Sequence, residues 1–235
     1  MGRAIAQRLV ERGDDVFLLG IGDGELEKSA ADLAARHPKA KRGGFARCNL
    51  EEPDEFAGAL DAAATTLGGL DTVVVTAALF ATQDELEGDV ELTRRLVTVN
   101  YAHTVVFCEH ARKRLLSRGG GTLCVFSSVA GDRGRKPVAI YGSSKAGLSA
   151  YLEALDHKFH ARGLRVVTVK PGFVKTAMTA RLRPPPFAGE PEQVARDVVR
   201  AMDRGTPVVY TPAIWALVMG VIRWLPRWVM RKLEF

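Results

Sequence analysis

Cysteine is scarce in this chain of 235 residues. Cys48, Cys108 and Cys124 are the whole supply, and no two are spaced as C-x-x-C. A disulfide framework and a zinc site of the usual spacing are therefore excluded, and a reducing, cytoplasmic compartment is expected. His103, His110, His157 and His160 show no ligand pattern, so no metal is expected. Long apolar runs are lacking too. The stretch AIWALVMGVI (213–222) holds ten residues, about half of the roughly 20 that span a bilayer. Arg3, Gln7, Arg8, Glu11 and Arg12 interrupt any apolar core at the start, so no signal peptide is expected. There is no internal repeat, no low-complexity segment and no linker long enough to separate a pair of domains. The formal net charge of +6 is uneven: residues 213–235 carry Arg223, Arg227, Arg231 and Lys232 against Glu234 alone. Half the excess in one short tail is not the diffuse basic stripe of a nucleic-acid binder, and no nucleic-acid partner is expected.

What is present is alternation. DVFLLG (15–20), GFARCNL (44–50), DTVVVTAAL (71–79), GTLCVFSS (121–128), LRVVTVKPG (164–172) and PVVY read as strands. Helical patterns fall between them at 24–36, 53–67, 84–117, 141–163 and 191–204. Strands this apolar need cover on both faces, so the pattern predicts an α/β fold with a doubly wound parallel sheet. One domain is expected over residues 1–212, with 213–235 an apolar and basic tail of that same domain.

The stretch VFSSVAGDRGRKPVAIYGSSKAG carries the chemistry. Ser128 stands at a strand end, Tyr141 follows thirteen residues later, and Lys145 four after that. Tyr141 and Lys145, at i and i+4, share one helix face. A free tyrosine, with a pKa near 10, is a poor acid–base group at neutral pH. A nearby ammonium favours the phenolate and would draw that value down. The serine can hold a substrate carbonyl against the phenol. A lone Y-x-x-x-K is weak, since surface helices supply many by chance.

With these residues in view, the chain resembles the short-chain dehydrogenase/reductase family over nearly its whole length. The resemblance implies a Rossmann-like fold, hydride transfer from NAD(P)H, and a catalytic set of Asn100, Ser128, Tyr141 and Lys145. Asn100, in VTVNYAHT, takes the place of the family's asparagine, which holds a water in a proton relay. For the cofactor the resemblance implies Gly2, Asn49 and Leu50 in CNL, Ala77 and Ala78, Tyr141 and Lys145, and Pro171, Gly172, Val174 and Thr176 in KPGFVKT. The family's Asn-Asn-Ala-Gly motif is here Val75-Thr76-Ala77-Ala78. Gly20, Ile21 and Gly22 end the second family strand with neither an acid nor a base, and leave NADH against NADPH undetermined.

Gly2 aligns with the last glycine of the family's Gly-x-x-x-Gly-x-Gly loop. The family's first strand and earlier glycines have no counterpart after Met1, so the reading is that the family pattern starts upstream of it. An unfilled slot is expected where that strand would lie, between 15–20 and 71–77. Within the family the chain is most similar to reductases of decaprenylphosphoryl 2-keto-pentose, in NYAHTV, SSVAGDRGRKPVAIYGSSKAGL, VKPGFVKTAMTARL and the tail. That implies a lipid-linked sugar substrate in cell-wall arabinan synthesis. Arg133, Arg135, Lys136, Lys175, Arg181 and Arg183 are a basic rim for it, or an ordinary solvated loop. Another hydrophobic ketone and a cofactor-poor scaffold remain as alternatives. A dimer or tetramer built on the two long helices is implied, and the tail is expected either at a membrane surface or packed on the protein itself.

Overall fold

The computed structural model describes residues 1–36 and 42–234. Helix α1 (Gly2–Glu11) leads into strand β1 (Val16–Gly20), α2 (Asp23–Arg36), β2 (Gly43–Arg47), α3 (Glu55–Leu67) and β3 (Thr72–Val75). Then come α4 (Gln83–Gly88), α5 (Val90–Val97), α6 (Thr104–Ser117), β4 (Gly121–Phe126), α7 (Ala139–Phe159) and β5 (Leu164–Pro171). The chain continues through α8 (Pro191–Arg204), β6 (Val208–Thr211), α9 (Ile214–Ile222) and α10 (Arg227–Met230). Every strand pairing is parallel. The fold is the single-domain α/β architecture with parallel strands that the alternation predicts, in the Rossmann-like form that the family resemblance implies.

The sheet is split. β1 pairs with β2, and β3, β4, β5 and β6 lie side by side in that order. β1 and β3 are not hydrogen-bonded to each other. Between them lies a cavity of about 900 Å³ whose walls include Val16, Leu18, Thr72, Val74, Ile5 and Leu60. This is the slot expected from the sequence. Helices bridge it on both faces. On one, α1 sends Ile5 into the core of Cys124, Phe126, Val167, Val169, Val194 and Val198, while Ala6 and Val10 pack with Leu33, Val16 and Leu18. On the other, Phe17 and Leu19 reach the large core built by α3, α6, α7 and the inner strands.

Two expectations are corrected. The helix predicted over 84–117 is broken. Thr82 and Glu85 form a reciprocal cap at the start of α4, and Asp89 opens α5 by accepting from the Leu92 amide at 2.9 Å. Residues Thr98–His103 then widen into a π-turn before α6. The strand predicted over 71–79 ends at Val75, where the ladder with β4 stops. Beyond it the main chain is held by a side chain, Asn100. All three cysteines are buried, and burial pushes the thiols of Cys48 and Cys108 up to about 11 and about 12. They remain protonated, and none is a nucleophile.

Candidate active site

Catalytic-type side chains gather where β4 and β5 end. β4 is buried along almost its full length, and it delivers Ser127 and Ser128 to the edge of the core. Ser128 caps a short turn over Val129–Gly131, its Oγ accepting from the Ala130 amide at 3.1 Å. That turn lies directly on α7. A Cβ at Gly131 would stand 2.7 Å from the Ala146 nitrogen, and one at Gly142 would stand 2.8 Å from the Ala130 carbonyl oxygen. Glycine at both positions lets the Ser128 turn and the Tyr141 turn of the helix approach. Ser127 is spent on structure, donating to the Lys145 carbonyl at 2.9 Å and bonding Ser149 at 2.7 Å.

Tyr141 is half-buried, with its ring edge-on to Phe80 at 5.2 Å. Burial pushes its phenol up to about 12, and a hydrogen bond with Ser128 pulls the other way. Lys145 is only 2% exposed. Its Nζ donates to the Phe126 carbonyl at 3.0 Å and lies 5.9 Å from the centre of the Tyr141 ring. Burial pushes this ammonium down to about 8. The sequence reading has the lysine lowering the tyrosine. In the structure burial raises the phenol and only the Ser128 hydrogen bond opposes it, while the Lys145 Nζ is spent on the Phe126 carbonyl. Tyr141 is thus a phenol at neutral pH, suited to giving a proton.

Asn100 sits in the π-turn, buried, and clamps the loop after β3. Its Oδ1 accepts from the Leu79 amide at 2.7 Å and its Nδ2 donates to the Leu79 carbonyl at 2.8 Å. This fixes the segment carrying Ala77, Ala78 and Phe80 beside Tyr141. The asparagine is thereby engaged with main chain.

The other expected contacts are spread along the carboxyl ends of the strands. Gly2 opens α1 so close to Thr76 that a Cβ there would stand 2.7 Å from Thr76 Oγ1. Asn49 donates through its Nδ2 to Glu52 at 3.0 Å and through its amide to Glu55 at 2.8 Å. The Leu50 carbonyl accepts from His103 Nδ1 at 2.7 Å. Pro171 ends β5, and Gly172 carries the indole of Trp215 against it, since a Cβ there would stand 2.0 Å from Trp215 Nε1. The Val174 side chain is in the core with Ile5 and Val169. Thr176 caps the next turn with Thr179.

Sequence reasoning missed a half-buried polar cluster behind the site. Asp132 pairs with Lys170 at 2.5 Å and accepts from the Tyr210 hydroxyl at 2.8 Å. It ties the loop after Ser128 to β5 and β6, whose partners are distant in sequence. The basic rim is largely engaged in other work. Arg133 donates to the Leu225 carbonyl at 2.8 Å, Lys136 pairs with Glu234, and Lys175 pairs with Glu190 at 2.5 Å. Arg135 differs: its Nε is buried with no acceptor among the described residues. Among those residues no cluster of three metal-ligating side chains occurs.

For a nicotinamide cofactor the fit is better at one end than at the other. Lys145 reaches the carboxyl end of β4 at the Phe126 carbonyl, with Tyr141 one turn before it on α7, and Pro171 ends the neighbouring strand β5; these residues would hold the nicotinamide. At the phosphate end, Gly2 and the first turn of α1 lie close to Thr76, beside the gap between β1 and β3.

The short chain dehydrogenase family profile matches residues 1–186. An uncharacterised oxidoreductase of Mycobacterium tuberculosis is 36% identical over 168 residues, which is 71% of this chain and 67% of that protein. An uncharacterised oxidoreductase of Streptomyces coelicolor is 34% identical over 237 residues, covering 99% of this chain and 91% of the relative. A short-chain type dehydrogenase/reductase from Mycobacterium ulcerans superposes with a TM-score of 0.81 at 23% identity, over 89% of this chain and 83% of that one. A serine, tyrosine and lysine converging at the carboxyl end of a parallel sheet agree with these matches, and the chain belongs to the short-chain dehydrogenase/reductase family of oxidoreductase enzymes.

Proposed function

We propose that this enzyme reduces a ketone, and that the ketone is a 2-keto sugar carried on a polyprenyl phosphate. The observation that carries the reaction is the Ser128–Tyr141–Lys145 arrangement. NAD(P)H, the general cofactor of the family, supplies the hydride. Ser128 holds the carbonyl oxygen, and Tyr141 gives that oxygen its phenolic proton as the carbonyl carbon is reduced. Lys145 carries the positive charge that steadies the resulting phenolate, which then regains a proton from solvent. Phe80, packed on Tyr141, keeps the phenol desolvated and protonated until substrate arrives.

The sugar phosphate reading is supported by the likeness of the segments around Asn100, Ser128 and Lys170 to polyprenyl-linked keto-sugar reductases. The partnerless Arg135 Nε, in the loop between Ser128 and Tyr141, supports it as well. A half-buried guanidinium whose Nε has no acceptor among the described residues suits an anionic oxygen. A second reading, reduction of an uncharged hydrophobic ketone, draws on a hollow whose walls include Phe173, Ala177, Ala180 and Leu182, though Lys175, Thr176 and Thr179 line it too. Turnover of a polyprenylphosphoryl 2-keto-pentose and of a plain cyclic ketone, each with NADH and NADPH, separates the two. The first reading expects a preference for the phosphorylated substrate that falls in Arg135→Ala. Equal turnover of both ketones, unchanged in Arg135→Ala, overturns it.

A further inference from the structure

The end of the chain is amphipathic across two helices. Leu217, Val221, Trp224 and Trp228 are 71%, 66%, 87% and 64% exposed. Leu217 and Val221, four apart, share one outward face of α9, while Trp224 stands in the turn after it and Trp228 in α10, beyond the extended Pro226. The inward side is anchored: Met219 and Ile222 pack on Val129, beside Ser128. Two indoles this open to water form an apolar surface, with Lys232 Nζ lying 5.9 Å over the centre of the Trp228 ring. Arg223, Arg227, Arg231 and Lys232 are exposed beside them. Among the described residues no carboxylate pairs with Arg227, Arg231 or Lys232, and Glu234 is held by Lys136.

We propose that residues 214–232 are a docking surface for an anionic lipid bilayer. The charge chooses this occupant. A second copy meeting this face about a twofold axis would set the unpaired cations of one chain against those of the other. Lipid headgroups neutralise the same cations, while indoles are stable at the headgroup level. The nine residues of α9 are too short to cross, and no described helix is long and apolar enough to span a membrane. The surface therefore lies on the bilayer. The proposal stands apart from the substrate, since it needs only the outer face of the tail.

Co-sedimentation of the whole protein with phosphatidylglycerol–phosphatidylcholine vesicles, and with phosphatidylcholine alone, tests it. Binding is expected to the anionic vesicles, with a blue shift of tryptophan emission and weakening at high salt. Two double variants, Trp224→Ser with Trp228→Ser and Arg227→Glu with Arg231→Glu, should each bind at least about ten-fold more weakly. Their circular dichroism and melting should match the parent, because all four side chains are exposed. A parent protein that stays in the supernatant with anionic vesicles overturns the proposal. So does equal binding by parent and both variants. So does a parent that is oligomeric without lipid and becomes monomeric in the tryptophan variant, for then the face belongs to a second copy.

Discussion

Replacing Tyr141 by phenylalanine keeps the ring against Phe80 and removes only the transferable proton. Turnover of any ketone substrate should fall by about 10²–10⁴-fold, with melting temperature nearly unchanged. Activity close to that of the parent would remove Tyr141 from the mechanism. Lys145 gives a test through pH. Its side chain keeps its proton up to about 10.5 in the unfolded chain and loses it at about 8 when folded. Between those values the unfolded state binds more protons, so raising the pH favours the folded state. Cys48, Cys108 and Tyr141 act in the opposite sense, being pushed up from 9.0, 9.0 and 10.0. They stabilise at low pH and cease to as pH climbs through their folded values. Lys145→Met isolates the lysine. Denaturant unfolding should show the parent gaining on this variant by up to about 3 kcal/mol between pH 8 and 10.5. A difference flat with pH would mean that the buried ammonium is not desolvated.

At the scale of elements, the strand alternation and the Tyr141–Lys145 helix are legible in the sequence because each depends on local spacing. The π-turn at Asn100 is not. Its sequence continues a helical pattern, and only the Leu79 main chain, brought from another loop, selects the wider turn. The Asp132–Lys170–Tyr210 cluster is illegible for the same reason: its polar groups come from three separate segments, and the sequence has no period linking them. Gly131 stands in the sequence as one residue of a longer motif, yet it sets how near the Ser128 turn comes to α7. Gly131→Ala places a methyl 2.7 Å from the Ala146 nitrogen. It should cost about 1–3 kcal/mol in stability. It should also lower kcat more than it raises KM, because Ser128 is moved from Tyr141 while both remain present. A variant as stable and as fast as the parent would mean that the turn and helix can separate at no cost.

Over the whole molecule, the break between β1 and β3 falls where the position of Gly2 in the family pattern predicts it. The two facing edges leave main-chain donors and acceptors of Val16–Gly20 and Thr72–Val75 without a ladder partner on that side. Amides on those edges should exchange with deuterated water much faster than those of β4, which is laddered on both sides. Equal protection would show that the gap is closed in solution.

The same break divides the cooperativity of unfolding. Main-chain hydrogen bonds run from β3 to β6 without interruption, whereas β1, β2 and α2 are joined to them through side-chain packing from α1 and α3. All-or-none melting depends on each region losing its stability when another is lost. Here the β1–β2 pair can come away while the four-stranded sheet keeps every strand pairing. A calorimeter should record a van't Hoff enthalpy below the total heat absorbed, the β1–β2 pair melting first.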